Sequence, residues 1–195
     1  MFQFLGCCSG TNQESSADTS PRLIALYRSF IAGLGHRSFY TTFGLPVFIT
    51  RCSNNYGPWQ HPEKFVAGSI TKLIGGNPIT LHGNGNYWRD WIHTDDHCAA
   101  IDLVLHRGTS GEIYNICSGE LHTNNHIARV LLSLFEMPDS AIEYIPDRLG
   151  NDRRYSMNTS KIRSLGWQPT RSLEDGLKET IDWYQGNENW LTDLQ

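Results

Sequence analysis

The chain has 195 residues, a formal net charge of −4 and 39% hydrophobic residues, which suits one globular domain and gives no support to a general nucleic-acid-binding protein. Its five cysteines are odd in number and include no Cys-x-x-Cys pair, which argues against a disulfide framework and a cysteine-rich zinc site. No apolar run approaches the ~20 residues that span a bilayer. We therefore expect a cytoplasmic protein with small-molecule or protein partners, and with neither nucleic acid nor a membrane among them.

The chain divides into two unequal parts. Residues 9–20 are small and polar, which is typical of a loop or tail, and residues 22–36 are apolar without a clear helical period. We expect residues 1–43 to form a divergent or partly disordered segment, residues 44–190 a ligand-binding lobe, and residues 191–195 a tail.

The longer part alternates between strand and helix signals. Strands are predicted from short apolar runs at residues 45–50, 79–82, 112–117 and 142–145. Helices are predicted from amphipathic segments at residues 65–73, 94–105, 123–137 and 160–165, and from a final stripe of Leu173, Leu177, Ile181 and Tyr184. Ser172 and Asp175 resemble a capping box that opens this last helix. Such alternation predicts an α/β or α+β domain, in which small antiparallel or mixed strand pairs fit as well as one long parallel sheet.

Turns are predicted at two glycine-containing segments, residues 54–58 and residues 83–86. Gly83 and Gly85 lack the third glycine and the following helix of a dinucleotide-binding fingerprint. We therefore interpret the second segment as a hairpin turn.

Two arginine-containing segments could bind an anion. Arg89 precedes a helix start, where its guanidinium could grip a phosphate with two hydrogen bonds or form a structural ion pair with Asp90. The segment from Asp147 to Tyr155 contains three arginines and follows a predicted strand, a position that commonly holds ligands. It could clamp a nucleotide diphosphate or be a solvated set of ion pairs.

His93 and His97 are four residues apart with two carboxylates between them, a spacing that can bind a metal on a helix. The predicted helix begins near Asp95, so His93 falls on the strand before it. A capping and packing role for these residues fits better, and we predict no metal site. A metal-dependent enzyme remains the alternative that metal analysis would test.

Six segments taken in order carry a more specific signal than any one of them. They are Arg51-Cys-Ser-Asn-Asn-Tyr-Gly-Pro58, Pro62-Glu-Lys64, Arg89-Asp-Trp91, Tyr114-Asn-Ile116, Asp147-Arg-Leu-Gly-Asn-Asp-Arg-Arg-Tyr155 and Leu165-Gly-Trp-Gln-Pro169. Together they resemble the dTDP-glucose 4,6-dehydratases, which are extended short-chain dehydrogenase/reductases. The likeness runs from about Phe39 to Trp190, the second half of a full family member. It implies an α/β fold, namely the carboxyl-terminal substrate-binding lobe of such an enzyme with most of the Rossmann domain missing.

The resemblance also implies a chemistry and a set of ligand contacts. The family oxidises the sugar at C4 with tightly bound NAD, eliminates water across C5 and C6, and returns the hydride to C6. By resemblance, Asn55 lies near the nicotinamide, and Arg89 holds phosphate. The other expected contacts with a dTDP-sugar are Asn54, Lys64, Phe65, Thr80, Leu81, His82, Asn124, Asp147, Arg148, Leu149, Gly150 and Asn151. Leu149 and Asn151 stand where the family usually has Pro and His, which affects the fine contacts of that loop.

The family's catalytic groups are not expected in these residues. Tyr27 is followed four residues later by Ile31 and not by the lysine of a Tyr-x-x-x-Lys pair, and the glycine-rich NAD loop and the Thr-Asp-Glu stretch are also missing. We therefore expect no catalytic residue, poor NAD binding, and a truncated or degraded copy that is inactive alone. Residues 22–38 do not match the family sequence at the place of the Tyr-x-x-x-Lys pair. Out-of-frame translation of this segment would explain the difference, and a divergent dimerisation or docking helix is the alternative.

Two other functions remain open at this point. The chain could be a non-catalytic module that binds a sugar nucleotide or a partner chain, or a fragment of a related NAD-dependent sugar-nucleotide epimerase or decarboxylase. Family members form homodimers, but the segment that would supply the dimer helices is altered here.

Overall fold

The computed structural model describes residues 38–147 and 152–192, and eight strands and seven helices lie within them. The strands are β1 (Ile49–Cys52), β2 (Asn54–Tyr56), β3 (Ile79–His82), β4 (Trp88–His93), β5 (Ile113–Ile116), β6 (Leu121–Thr123), β7 (Ile142–Ile145) and β8 (Arg154–Tyr155). The helices are α1 (residues 38–43), α2 (Phe65–Ile74), α3 (Thr94–Arg107), α4 (Asn124–Leu134), α5 (Ser160–Ser164), α6 (Leu173–Gly186) and α7 (Glu188–Thr192), with a 3₁₀ turn at Asp139–Ala141. No helix in this part of the chain is long and apolar enough to cross a bilayer.

The strands form three small sheets. β1 pairs with β5 and β3 pairs with β7, both in parallel. β4 is the centre of the third sheet, where it pairs in parallel with β2 and β8 and antiparallel with β6. The predicted α/β class is confirmed, and the strands form small parallel and mixed groups.

Two apolar cores lie on either side of β4, because successive side chains of a strand point to opposite faces. The larger core contains Trp91 of β4, and the smaller core contains the next residue, Ile92. The larger core consists of Tyr56, Val66, Ala67, Ile70, Leu73, Ile79, Leu81, Trp91, Ile127, Ala128, Leu131, Leu132, Leu177, Ile181 and Tyr184. The smaller core consists of Phe48, Ile92, Ala100, Val104, Tyr114, Ile116, Ile162 and Trp167. β4 therefore joins the two halves of the fold.

Side-chain caps fix the start of three helices. His93 Nδ1 accepts a hydrogen bond from the Asp95 N–H at 3.3 Å and caps α3. Thr123 caps α4 and Ser172 caps α6 in the same way, each by accepting from a main-chain N–H at 3.1 Å. The capping roles predicted for His93 and Ser172 are confirmed.

Several predicted elements were wrong in place or in kind. The first strand begins at Ile49, four residues later than residue 45, and within the described residues its ladder partner is β5 alone. Residues 54–58 were expected to be a turn, but Asn54–Tyr56 is a strand because it pairs with the distant β4. The helix expected to reach residue 137 ends at Leu134, and Glu136 has a positive φ of 54°.

The hairpin interpretation of residues 83–86 was also wrong. A turn is present, with φ values of 59° at Gly83 and 68° at Gly85, a region that glycine enters freely. However, β3 before the turn pairs with β7, whereas β4 after it belongs to another sheet. The turn therefore connects two sheets, and it brings the end of β3 close to the start of α4.

Candidate ligand-binding site

Asp90 and Arg89, neighbours on β4, face opposite ways and have different surroundings. Asp90 is only 1% exposed, and its carboxylate accepts hydrogen bonds from Ser53 Oγ at 2.8 Å, Ser118 N at 2.9 Å, Ser118 Oγ at 3.1 Å and Gly119 N at 2.8 Å. These hydrogen bonds occupy the Asp90 carboxylate with structural partners, so the Arg89–Asp90 ion pair considered from the sequence is disfavoured. Arg89 donates from Nη1 to the Trp88 carbonyl at 2.8 Å, and its guanidinium carbon lies 5.8 Å from the Tyr87 ring centroid.

Several of the expected ligand residues lie around Tyr87. Its hydroxyl donates to the Asp147 carboxylate, and its carbonyl accepts from Asn124 N at 3.2 Å. His82 lies beside the same loop, with Nδ1 3.1 Å from the Pro146 carbonyl oxygen. Four expected ligand residues therefore lie around one surface at the end of β3, namely His82, Arg89, Asn124 and Asp147. In sequence they extend over 65 positions, from 82 to 147.

Asn124 and Asn125 are adjacent in sequence but differ in bonding. Asn125 Nδ2 donates to the Asn84 carbonyl at 2.7 Å and to Asn86 Oδ1 at 2.9 Å, and Asn125 Oδ1 accepts from the Tyr144 hydroxyl at 2.9 Å. Asn124 Oδ1 is buried and has no hydrogen-bond partner among the described residues. Asn125 therefore holds the turn in place, whereas the Asn124 side-chain oxygen is not used as an acceptor by the described residues.

A second group of expected residues lies at the start of β2 and α2. Asn55 Nδ2 donates to Cys52 Sγ at 3.3 Å, whereas Asn55 Oδ1 is buried without a partner in the described part of the chain. Asn54 pairs with Trp91 of β4, and Phe65 at the start of α2 lies 5.8 Å from the Trp91 ring. Lys64 precedes Phe65 and forms an exposed ion pair with Glu63 at 2.8 Å.

Thr80 and Leu81 of β3 are placed differently from each other. Thr80 Oγ1 accepts a hydrogen bond from Lys72, so its hydroxyl faces the surface of α2. Leu81 is 1% exposed and belongs to the larger core, so only its main chain is in a position to contact a ligand. Arg148, Leu149, Gly150 and Asn151, which were expected to close over the nucleotide, lie outside the described residues.

Gln60 is a residue that the sequence interpretation missed. Its Nε2 donates to the Asn55 carbonyl at 2.7 Å, which fixes the orientation of the amide. Its Oε1 is then buried without a partner among the described residues. Two amide oxygens that lack donors, Asn55 Oδ1 and Gln60 Oε1, therefore belong to residues joined by a direct hydrogen bond. The sequence signal that could have identified Gln60 was its position, two residues after Pro58.

The histidine pair was considered above as a possible metal site. Within the described ranges, no group of three or more His, Cys, Asp or Glu side chains is placed to hold a metal ion. His93 uses Nδ1 as a helix cap, and burial lowers the pKa of His97 to about 4. Both rings are therefore packed, neutral components of the fold.

The family model for GDP-mannose 4,6 dehydratase matches residues 31–180. The chain belongs to this family. A dTDP-glucose 4,6-dehydratase of Actinoplanes sp. is 42% identical over 156 residues, which cover 80% of this chain and 49% of the relative. One of Xanthomonas campestris pv. campestris is 39% identical over 165 residues, which cover 80% of this chain and 47% of the relative. The chain thus spans about half the length of the curated relatives it matches.

Solved structures of this dehydratase group agree with the fold. The Streptomyces venezuelae enzyme DesIV, a dTDP-glucose 4,6-dehydratase solved with NAD bound, is 44% identical with a TM-score of 0.80, over 84% of this chain and 51% of that one. The Bacillus anthracis dTDP-glucose 4,6-dehydratase in complex with NAD is 38% identical with a TM-score of 0.80, over 95% of this chain and 61% of that one. The resemblance and the fold class inferred from sequence are confirmed.

Proposed function

We propose that this chain supplies the sugar-nucleotide-binding half of a dTDP-glucose 4,6-dehydratase site and does not complete the dehydration alone. The observation that carries this proposal is the buried, unpartnered Asn124 Oδ1, which lies beside Arg89 and Asp147 around Tyr87. A buried acceptor without a donor is rare in a native protein and is explained by a bound water, an ion or a ligand. Here a ribose or sugar hydroxyl would donate to it.

Positive charges in the two groups of expected ligand residues suit a diphosphate. Arg89 carries a guanidinium that can bind phosphate oxygens with two parallel hydrogen bonds. Lys64 adds a positive charge at the start of α2, in an exposed ion pair with Glu63 that a phosphate could replace. The loop from Asp147 to Asn151 would complete the nucleotide contacts.

The chemistry supplied by bound NAD would be hydride transfer from and to the sugar. The residues of this chain that fit the cofactor are Asn55 and Gln60, because each leaves a buried amide oxygen able to accept from a carboxamide N–H. They would orient the nicotinamide, and they carry no proton for the reaction. The 195 residues contain no Tyr-x-x-x-Lys pair, so a tyrosine base of that kind for the sugar hydroxyl would come from outside them.

Thermal unfolding of the pure chain with added nucleotides tests the binding part of the proposal. We expect dTDP-glucose and dTDP to raise the Tm in a concentration-dependent way, because they bind the folded state. A larger shift with UDP-glucose or GDP-mannose would assign the chain to a different nucleotide. No shift with any of these nucleotides would contradict the proposal.

A product assay tests the second part. We expect dTDP-glucose to remain unconverted in the presence of the pure chain and NAD, because neither the Tyr/Lys pair nor the elimination acid and base is present. Formation of the 4-keto-6-deoxy sugar by the pure chain would refute that expectation while leaving the binding proposal intact.

A further inference from the structure

One cleft of the fold has a lining that differs from the residues of the expected nucleotide site. It has a volume of about 260 Å³ and lies between β4, the segment before β6 and the loop that leads into α6. Trp91 and His93 line it on the β4 side, and Asp96, Glu120 and Arg171 line other parts. None of the residues expected to bind the nucleotide, as far as the structure describes them, lines this cleft.

Two buried N–H donors in its lining lack acceptors. Trp91 is 7% exposed and His93 is 3% exposed. Trp91 Nε1, which is always a donor, has no hydrogen-bond partner among the described residues, and neither has His93 Nε2. Buried polar groups are nearly always satisfied, so two such donors in one cleft require an explanation.

The helix cap determines which nitrogen of His93 carries the proton. His93 Nδ1 accepts from the Asp95 N–H at 3.3 Å, so the neutral ring has its hydrogen on Nε2. An Asp95 carboxylate oxygen also lies 3.9 Å from Nδ1, a contact that would be an ion pair only with a protonated ring. Burial, followed by the charge of Arg171, lowers the pKa of His93, so the neutral ring is favoured and Nε2 is a donor.

The charged groups of the cleft disfavour an anionic ligand. Arg171 is already paired with Glu179 at 2.7 Å and with Asp95 at 2.9 Å. Asp96 is buried, and the exposed Glu120 carboxylate faces His122, with 3.5 Å between Glu120 Oε2 and His122 Nε2. That contact lacks hydrogen-bond geometry, since His122 Nε2 has no hydrogen-bond partner among the described residues. The carboxylates would repel an anionic ligand. Arg171 could not offset this repulsion, because its charge is already paired with Glu179 and Asp95.

A ligand that matches this cleft must accept hydrogen bonds from the N–H groups and donate them to a carboxylate. Hydroxyl groups do both. The volume of about 260 Å³ corresponds to roughly nine water molecules at about 30 Å³ each, which is room for a ring with several hydroxyls. The rings of Tyr56 and Trp91 supply apolar surface.

We propose that this cleft binds an uncharged polyhydroxy compound of the size of a hexose, separately from the nucleotide site. The Trp91 indole N–H and the His93 Nε2–H donate to ligand oxygens, and Glu120 accepts from a ligand hydroxyl. This proposal does not depend on nucleotide binding or on dehydratase chemistry.

NMR of the ¹⁵N-labelled chain with D-glucose as the probe tests this site. The chain has six tryptophans, and Trp91→Phe identifies the Trp91 indole resonance. We expect D-glucose to shift that resonance saturably and to leave the indole of Trp59, which is 52% exposed and outside the cleft, unchanged. Acetate should give no saturable shift.

Matched variants separate this cleft from the nucleotide site. Glu120→Ala should weaken D-glucose binding about threefold to tenfold, the loss expected for one hydrogen bond. Glu143→Ala removes an exposed carboxylate on β7 and should leave the affinity unchanged. Absence of a saturable shift up to the solubility limit would mean that the cleft holds water only, and a saturable shift with acetate would mean an anion site. Equal affinities for the two variants would place the glucose elsewhere; each of these results overturns the proposal.

Discussion

The carboxylates that join β4 and α3 to their neighbours are fully used by the chain, whereas the amide oxygens near the expected ligand surface are not. Asp90 accepts from two serines and a glycine, and Asp96 accepts from Thr170 N, Thr170 Oγ1 and Arg171 N at 2.7 to 3.2 Å. Asn55, Gln60 and Asn124 each leave a buried oxygen without a donor among the described residues. The buried polar groups therefore divide into carboxylates that the fold satisfies and amide oxygens that have no donor among the described residues.

A physical difference explains this division. A buried charge without partners is so unfavourable that the chain must supply several donors to it. A neutral amide oxygen loses less when it is unpaired, so a protein can keep it for a ligand hydroxyl or N–H. Four predictions test this contrast, beginning with the carboxylates.

Removal of the Asp90 carboxylate should give the largest effect. Asp90→Ala leaves the four hydrogen bonds from Ser53, Ser118 and Gly119 without an acceptor, and we expect the free energy of unfolding to fall by about 3–5 kcal/mol. Urea unfolding followed by circular dichroism measures this change. Asp102→Ala, at an exposed position on α3, is the control and should change stability by less than about 0.5 kcal/mol. Similar losses in both variants would contradict the structural role of Asp90.

Burial of His97 should make the fold sensitive to acid. Burial lowers the pKa of His97 from 6.5 to about 4, so below pH 6.5 the unfolded chain binds a proton that the folded chain does not. The free energy of unfolding should therefore decrease as the pH falls from about 6.5 to about 4, by up to about 3 kcal/mol at 1.36 kcal/mol per pKa unit. His93 contributes in the same direction, because its pKa is also lowered by burial.

The variant His97→Gln isolates this contribution. Urea unfolding at several pH values should give a smaller acid loss for the variant than for the parent chain, since the carboxylates titrate in both. Parallel pH profiles for the two proteins would show that His97 is not the responsible group.

Local features of the fold were predictable from sequence, and long-range pairings were not. Helix starts followed from caps such as Ser172, because a cap acts within one turn. The strand at Asn54–Tyr56 was missed because its pairing with β4 joins residues 37 positions apart, and its Asn-Gly-Pro composition indicates a turn. The glycines at 83 and 85 indicated the turn correctly but not which strands it connects.

The candidate site divides in the same way. The phosphate contact of Arg89 was predicted from its motif and stays a prediction, whereas its separation from Asp90 by the two faces of β4 needed the structure. Asn124 and Asn125 have the same side chain and adjacent positions, so only their hydrogen bonds distinguish the unpartnered amide oxygen from the structural amide. Gln60 had no signal beyond its distance from the turn.

Loss of the Arg89 guanidinium should affect binding more than stability. Charge-assisted hydrogen bonds to phosphate are worth about 1.5–3 kcal/mol, so Arg89→Ala should weaken dTDP-glucose binding about tenfold to a hundredfold. Isothermal titration calorimetry measures the affinity. Arg107→Ala removes an exposed arginine at the end of α3 and should bind like the parent chain. Unchanged affinity in the Arg89 variant would remove this residue from the phosphate contacts.

The neighbouring asparagines provide the smallest and most discriminating comparison. Asn124→Ala removes a buried oxygen that has no partner in the described residues, so the free energy of unfolding should stay the same or rise slightly. The same change should weaken dTDP-glucose binding about threefold to tenfold, because one ligand hydrogen bond is lost. Asn125→Ala removes the bonds to Asn84, Asn86 and Tyr144, and should lower the free energy of unfolding by about 1–2 kcal/mol. Calorimetric binding and urea unfolding of both variants give four values, and the expected pattern is that affinity falls without loss of stability only in the Asn124 variant. Asn124→Ala could instead destabilise the chain as much as Asn125→Ala does. That result would mean that the Asn124 amide supports the fold, and it would contradict the distinction between buried polar groups with partners and those without.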